Sequence, residues 1–193
     1  MNILTEKLPE FLVSGNKKYM LNTGFKNWAM AGHLAGLQTG RREDVLKILF
    51  LCYKRKLPPS LSEACRGIAE FYSGAFGDGC DKKEAKKDFK SGEKLFDFYY
   101  DSKYIYSDFL GVYGIDLNSE NIHFYKFCAL FEGLPENSRI MKIMKIRAMD
   151  LSEIKAPELK QKYIQLKRIY SLCQYMPEHI KRRRFGEALG IFF

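Results

Sequence analysis

The sequence predicts a mostly α fold: a compact multi-helix domain with a β-hairpin at its N-terminus. Three observations carry that prediction. Apolar residues recur at i, i+3, i+4 and i+7 in successive segments. Ser, Asn or Asp stands ahead of most of those segments, and Gly or Pro closes them. Near the start, by contrast, two short apolar-rich runs flank a turn cluster. The 193 residues are 46% hydrophobic, with 15 Phe, 12 Tyr and one Trp, enough to build a sizeable core. That composition excludes disordered and fibrous classes.

The hairpin comes from Glu10-Phe11-Leu12-Val13 and Lys18-Tyr19-Met20-Leu21, separated by Ser14-Gly15-Asn16. Gly15 or Asn16 takes positive φ there at low cost. Asn22-Thr23 then offers an N-cap for a helix over residues 25–38, with Phe25, Trp28, His33 and Leu34 among its apolar positions. Arg42 to Arg55 forms the next helix, with Val45, Ile48, Leu49 and Cys52 on one stripe, and Pro58-Pro59 stops it. Ser60 with Glu63 is a capping-box pattern and opens a helix running to about Tyr72.

Gly74, Gly77, Gly79 and Gly92 bracket a charged stretch whose signs nearly cancel, which reads as a solvated loop. Beyond it, residues 96–131 hold 12 of the 28 aromatic side chains. Asp101 or Ser102 caps a helix through Tyr113, with Ile105, Phe109 and Val112 inward. Asn118 or Ser119 caps the next, in which Phe124, Phe127, Cys128 and Phe131 form the inner stripe. A short basic helix covers residues 138–148, and Asp150 or Ser152 marks a further capped start. Pro157 opens the longest helix, to about Tyr175, with Leu159, Tyr163, Leu166, Tyr170 and Cys173 spaced 4, 3, 4, 3. Glu178 to Leu189 reads as a last helix. The organisation is therefore a hairpin plus first helical half (1–72), a charged loop (73–95), an aromatic-rich helical half of the same domain (96–152), and basic C-terminal helices (153–193).

Charge is unevenly spread. The net charge is +9, yet residues 1–138 carry 19 basic and 18 acidic side chains, against 13 and 5 over residues 139–193. An acidic partner or a polyanion would feel that end. Five cysteines, an odd number with no C-x-x-C pair, point to a reducing compartment and to small core fillers at Cys52, Cys65, Cys128 and Cys173. The N-terminal stretch lacks a signal-peptide pattern, since Glu6, Lys7, Pro9 and Glu10 interrupt it. No apolar run approaches the roughly 18 residues a membrane span needs.

Chemistry-bearing patterns are absent. His33, His123 and His179 share no ligand spacing, and His33 on an apolar stripe reads as a core histidine with its polar atoms satisfied. There is no H-E-x-x-H, no phosphate-binding G-x-x-x-x-G-K-[ST] or G-x-G-x-x-G, and no G-x-S-x-G elbow. The expectation is a non-enzyme with no metal and no cofactor. The cluster Lys181-Arg182-Arg183-Arg184-Phe185, with Lys142, Lys145 and Arg147 upstream, suits a solvated face, an acidic protein partner, or phosphate neutralisation on nucleic acid. No nucleic-acid-binding motif accompanies it, so a protein partner is preferred to nucleic acid.

In the second half one series of motifs is distinctive. It runs D-S-K-Y-I-Y from Asp101, Y-G-I-D-L from Tyr113, H-F-Y-K-F-C-A-L-F-E-G-L from His123, and I-M-K-I-R from Ile143 to Arg147. Together with Leu8-Pro9-Glu10-Phe11, Gly15 to Tyr19, and Asn22 to Trp28, this series resembles the bacteriophage family named after gene product fifteen, over about residues 8–152. The family often carries two Trp after the His, where this chain has Phe124-Tyr125. The resemblance implies a small helical tail-module protein, a tail assembly chaperone acting in the bacterial host cytoplasm. Its implied partners are the tape-measure protein and tail-tube subunits, with homo-oligomers open. The alternatives are a structural minor tail protein of the virion or a basic nucleic-acid-binding protein. The residues expected to meet a partner are Lys181, Arg182, Arg183, Arg184 and Phe185, with Tyr163 and Tyr170.

Overall fold

The computed structural model describes residues 2–37, 39–76 and 94–172. Strands β1 (Phe11–Ser14) and β2 (Lys17–Met20) form the N-terminal antiparallel hairpin. Seven helices follow among the described residues: α1 (Phe25–Gly36), α2 (Arg42–Cys52), α3 (Leu61–Ala75), α4 (Ser102–Tyr113), α5 (Phe124–Glu132), α6 (Arg139–Ala148) and α7 (Pro157–Ile169). The mostly α fold with an N-terminal hairpin is as the sequence predicts. The greater part of the charged loop (77–93), and the expected helix over 178–189, lie outside the described residues.

Gly15 sits at φ +57° in a two-residue turn, which sets the register Ser14↔Lys17, Val13↔Lys18, Leu12↔Tyr19, Phe11↔Met20. A two-residue turn makes Ser14↔Lys17 a hydrogen-bonded pair, and such pairs alternate along an antiparallel ladder. Leu12↔Tyr19 therefore also exchanges ladder bonds, and the Leu21 N–H donates to Glu10 O at 2.9 Å. Tyr19 is buried, and Leu12 packs against the core beneath the hairpin.

Both sequence halves share one core. The indole of Trp28 is fully buried, stacked on Phe71 at 4.2 Å and Phe124 at 5.6 Å, and its Nε1–H donates to Asn22 O. Phe127 is stacked by Phe25 at 4.6 Å and by Phe109 at 5.0 Å. Rings from α1, α3, α4 and α5 thus meet in one cluster, each burying apolar area and adding roughly 0.5–1.5 kcal/mol per well-placed aromatic pair. Ile105 and Phe109 face inward as expected, whereas Val112 is exposed. Val112 shares the Phe109 face by spacing but lies in the last turn of α4 and is 43% exposed.

Helix starts depart most from expectation. Ser60 does cap α3, its Oγ accepting the Glu63 N–H. Elsewhere the caps are not the residues that the local pattern nominates. The residue ahead of α1 is Gly24, in a bridge to His123: the Phe25 N–H donates to Ile122 O at 2.9 Å and the Phe124 N–H to Thr23 O at 2.7 Å. A Cβ on Gly24 would run into the Asn121 side-chain oxygen, so a larger residue there would have to push that exposed side chain aside. Asn22, expected as a cap, instead donates its side-chain amide to Leu51 O and Tyr53 O. α5 is capped by His123 and not by Asn118 or Ser119, which belong to a turn ordered by Asp116. Ahead of α6, Ser138 makes no cap bond; the Asp108 carboxylate of α4 accepts the N–H groups of Arg139 (3.0 Å) and Ile140 (2.7 Å). Asp150 accepts the Ser152 N–H in a turn, and α7 starts only at Pro157.

Cys52 and Cys128 are buried as expected, but Cys65 is exposed, on the solvent side of α3. Cys80 and Cys173 lie outside the described residues.

Candidate partner-binding surface

α7 starts with Pro157 and Glu158 and ends with Lys167 and Arg168, so its charges complement the helix dipole at both ends. It is shorter than the sequence suggests, closing at Tyr170. No residue of α7 is fully buried, and the helix packs chiefly on α6. Tyr163 and Leu166 are half-buried, while Leu159 is 46% exposed. On its other flanks Ile164 and Ile169 are exposed, the latter to 60%. Leaving such a side chain in water forfeits roughly 1.5–3 kcal/mol of burial free energy. Lys160, Lys162, Lys167 and Arg168 surround them, so α7 presents aliphatic side chains within a field of cations.

What holds this helix in place is polar. Arg147, in the last turn of α6, forms a bidentate pair with Asp101 at 2.6 and 2.8 Å. Its guanidinium also donates to Leu95 O at 2.8 Å and to Tyr170 O at 2.7 Å, just past the end of α7. Asp101 accepts the Asp97 N–H, and Asp97 accepts Lys94 Nζ at 2.7 Å and lies 3.0 Å from His33 Nδ1. A continuous polar chain therefore links α1, the segment before α4, α6 and the end of α7. Burial pushes the Asp97 carboxyl up, but the bond and charge of Lys94, the contact with His33 and the Tyr100 N–H outweigh it and hold it below the usual carboxylate range. His33 is the buried core histidine, with its polar partner, that the sequence predicts.

The two tyrosines nominated from the sequence lie on this helix but play different parts. Tyr170 is fixed internally: its carbonyl is taken by Arg147, its hydroxyl accepts Arg139 Nη2 at 3.4 Å, and its ring stands edge-on to Tyr104. Tyr163 lies one heptad earlier on the same side of α7 and is half-buried. Lys181, Arg182, Arg183, Arg184 and Phe185 lie outside the described residues. Of the upstream cations, Arg147 is spent inside the protein and Lys145 pairs with Glu136 at 2.5 Å. Sequence reasoning did not find the Asp101–Arg147 pair, although Asp101 opens one distinctive motif and Arg147 closes another.

Two clefts accompany this surface. One, of about 490 Å³, runs between α1, α2 and α3 and is lined by Gly32, Ala35, Ile48, Cys65 and Tyr72, with Lys94 at its edge. The other, of about 370 Å³, is lined by Phe25, Phe98, Ile105, Tyr106 and Phe127. Both are mainly apolar. Among the described residues no group of three or more His, Cys, Asp or Glu could hold a metal ion, and no helix is long and apolar enough to cross a membrane.

A family model described as bacteriophage Gp15 protein matches residues 4–172. The chain belongs to that family. Membership implies a phage structural or tail-related protein. No curated protein and no solved structure matches the chain. The Gp15 match extends beyond the 8–152 span carried by the motifs and takes in the whole of α7. It stops at Leu172, so the Lys181–Phe185 cluster is not part of what makes the chain a Gp15 protein. Within the matched span, Asp101 and Arg147 meet as the ion pair, His123 caps α5, Phe127 and Leu134 enter the core, and the Tyr113 hydroxyl donates to Leu130 O.

Proposed function

We propose that this Gp15 protein is a tail assembly chaperone that acts without catalysis or cofactor, in the host cytoplasm, by binding the tape-measure protein and tail-tube subunits. The observation that carries the reading is α7: aliphatic side chains at Leu159, Ile164 and Ile169 stand exposed among cations on a helix that buries none of its residues fully. Several exposed aliphatic side chains rimmed by charge on one helix suit a protein-binding face, although each alone is ordinary on a surface. Such a face takes an amphipathic helix with acidic flanks, covering its apolar stripe before assembly. The cations steer the encounter, and the modest apolar area keeps affinity low enough for tube subunits to displace the chaperone. Lys181, Arg182, Arg183, Arg184 and Phe185 extend the basic field in sequence and join Tyr163 in the proposed contact; Tyr170 supports it from within.

The test is co-expression with the tape-measure protein of the same phage. Intact chain should raise the soluble fraction of the tape-measure protein; Ile164→Glu with Ile169→Glu should lose most of that gain while keeping wild-type helicity. No gain from the intact chain sinks the chaperone reading. An equal gain from a chain lacking residues 177–193 removes only the basic cluster. Presence of the protein in purified virions would favour a structural tail component instead.

A further inference from the structure

The hairpin has two outer edges, and they differ. Because Leu12↔Tyr19 and Ser14↔Lys17 carry the ladder bonds, the N–H and C=O groups of Phe11 and Val13 point away from β2. On the opposite edge, Lys18 and Met20 point away from β1, and there Met20 O accepts the Lys54 N–H at 3.0 Å. The β2 edge is thus partly covered and carries Lys17 and Lys18, the charged guard of a protected edge. The β1 edge has none of these devices. Its Phe11 and Val13 backbone groups have no partner among the described residues, and it holds no proline, bulge or cation. On the outward face Phe11, Val13 (64% exposed) and Met20 make an apolar strip, with Lys18 Nζ 4.5 Å above the Phe11 ring.

We infer that β1 is a self-association edge, pairing antiparallel with β1 of a second copy about a twofold axis through Leu12. The pattern is self-complementary. Phe11 faces Val13 of the second copy, and Val13 faces its Phe11, so each outward N–H finds an outward C=O and four backbone hydrogen bonds form. Each such pair is an aromatic against a β-branched side chain, a favourable cross-strand combination. Charge selects this edge over the other. Pairing through β2 would set Lys17 and Lys18 against their counterparts and break the Lys54–Met20 bond, whereas pairing through β1 leaves those lysines at the far edges of a four-stranded sheet. Leu12 keeps its inward packing throughout. The edge is separate from α7, so self-association and chaperone binding stand or fall independently.

Sedimentation of the full chain over a wide concentration range tests the inference. Wild type should show a reversible monomer–dimer equilibrium, and amide exchange at Phe11 and Val13 should slow as concentration rises. Val13→Pro removes one outward N–H per copy and nothing from the hairpin ladder, so it should weaken dimerisation roughly tenfold or more. Should Val13→Pro perturb the hairpin, Val13→Lys leaves the backbone intact and places like charges near the axis, with the same expected loss. Monomeric wild type up to its solubility limit overturns the inference, as does a dimer unaffected by both variants.

Discussion

Arg147 and Asp101 form a bidentate ion pair in which the two side chains are only 8% and 2% exposed. Arg147 gives two further N–H groups to the carbonyls of Leu95 and Tyr170, so one guanidinium joins the entry to α4, the end of α6 and the end of α7. Removing one member of such a pair leaves the other charged and buried. Arg147→Ala should therefore destabilise the protein by about 3–5 kcal/mol. Arg147→Lys should rescue only part of that, because an ammonium cannot fork onto a carboxylate and still reach two carbonyls. The double variant Arg147→Met, Asp101→Leu should cost less than Arg147→Ala alone. Urea unfolding followed by Trp28 fluorescence, arranged as a double-mutant cycle, measures all three. A cost for the double variant equal to the sum of the Arg147→Met and Asp101→Leu costs would show that the pair is not coupled.

Acidification should weaken the fold in two steps. His123 accepts the Tyr125 N–H at Nδ1, which leaves Nε2–H to donate to Pro9 O at 3.1 Å. Burial lowers its pKa, helped by Lys126 and opposed by Pro9 O and Glu10. In the unfolded chain the same imidazole takes a proton near its ordinary 6.5, so its contribution is full above that value and is lost as pH falls through the lower folded pKa. Asp97, held below the ordinary 3.8, behaves the same way in a more acidic window. Urea midpoints against pH should therefore fall first below about 6.5 and again below about 3.8. His123→Asn, which keeps a cap acceptor, should flatten the first step alone, and Asp97→Asn should make the second shallower, a step to which Asp44 and Asp116 also contribute.

Asp108 is the cap of α6 although it belongs to α4, and it receives the Arg139 and Ile140 N–H groups on its two oxygens. Asp108→Ala should cost about 1–2 kcal/mol and expose those amides to exchange. Ser138→Ala, at the position local sequence nominates, should cost less, since its buried Oγ has no partner among the described residues. A larger loss from Ser138→Ala than from Asp108→Ala would reverse the assignment.

These caps explain where the sequence was legible and where it was not. Periodicity gave the helices and most of the core because Leu49, Ile105, Phe109, Phe127 and Phe131 are buried by their spacing on one helix face, which is a local property. The hairpin was legible because its turn is local too. Gly24, His123 and Asp108 were not, since their partners stand far along the chain and only the packed fold brings them within bonding distance. The same holds for the candidate surface. Leu159, Tyr163, Leu166 and Tyr170 read as one inner stripe, but the exposure of Leu159 and the outward Ile164 and Ile169 depend on how much of α7 its neighbours cover. Tyr170 was nominated for its aromatic ring, whereas its backbone carbonyl is what Arg147 holds.

Thiol chemistry separates the cysteines that sequence alone treats alike. Cys52 and Cys128 lie in the core, and burial pushes the Cys52 thiol up to about 12 and Cys128 further still. Cys65 sits exposed at the edge of the α1–α3 cleft. The thiolate is the reacting species, so burial and a raised pKa both hold Cys52 and Cys128 back, while Cys65 is open to a reagent. Under native conditions at neutral pH an alkylating reagent should modify the Cys65 peptide well ahead of the Cys52 and Cys128 peptides, as read by mass spectrometry after proteolysis. Raising urea should bring Cys52 and Cys128 into reaction together with the loss of Trp28 fluorescence, because all three belong to one core. If Cys128 reacted below the unfolding transition while Cys52 did not, α5 would open independently of α2, and the shared core of the two halves would not unfold as a unit.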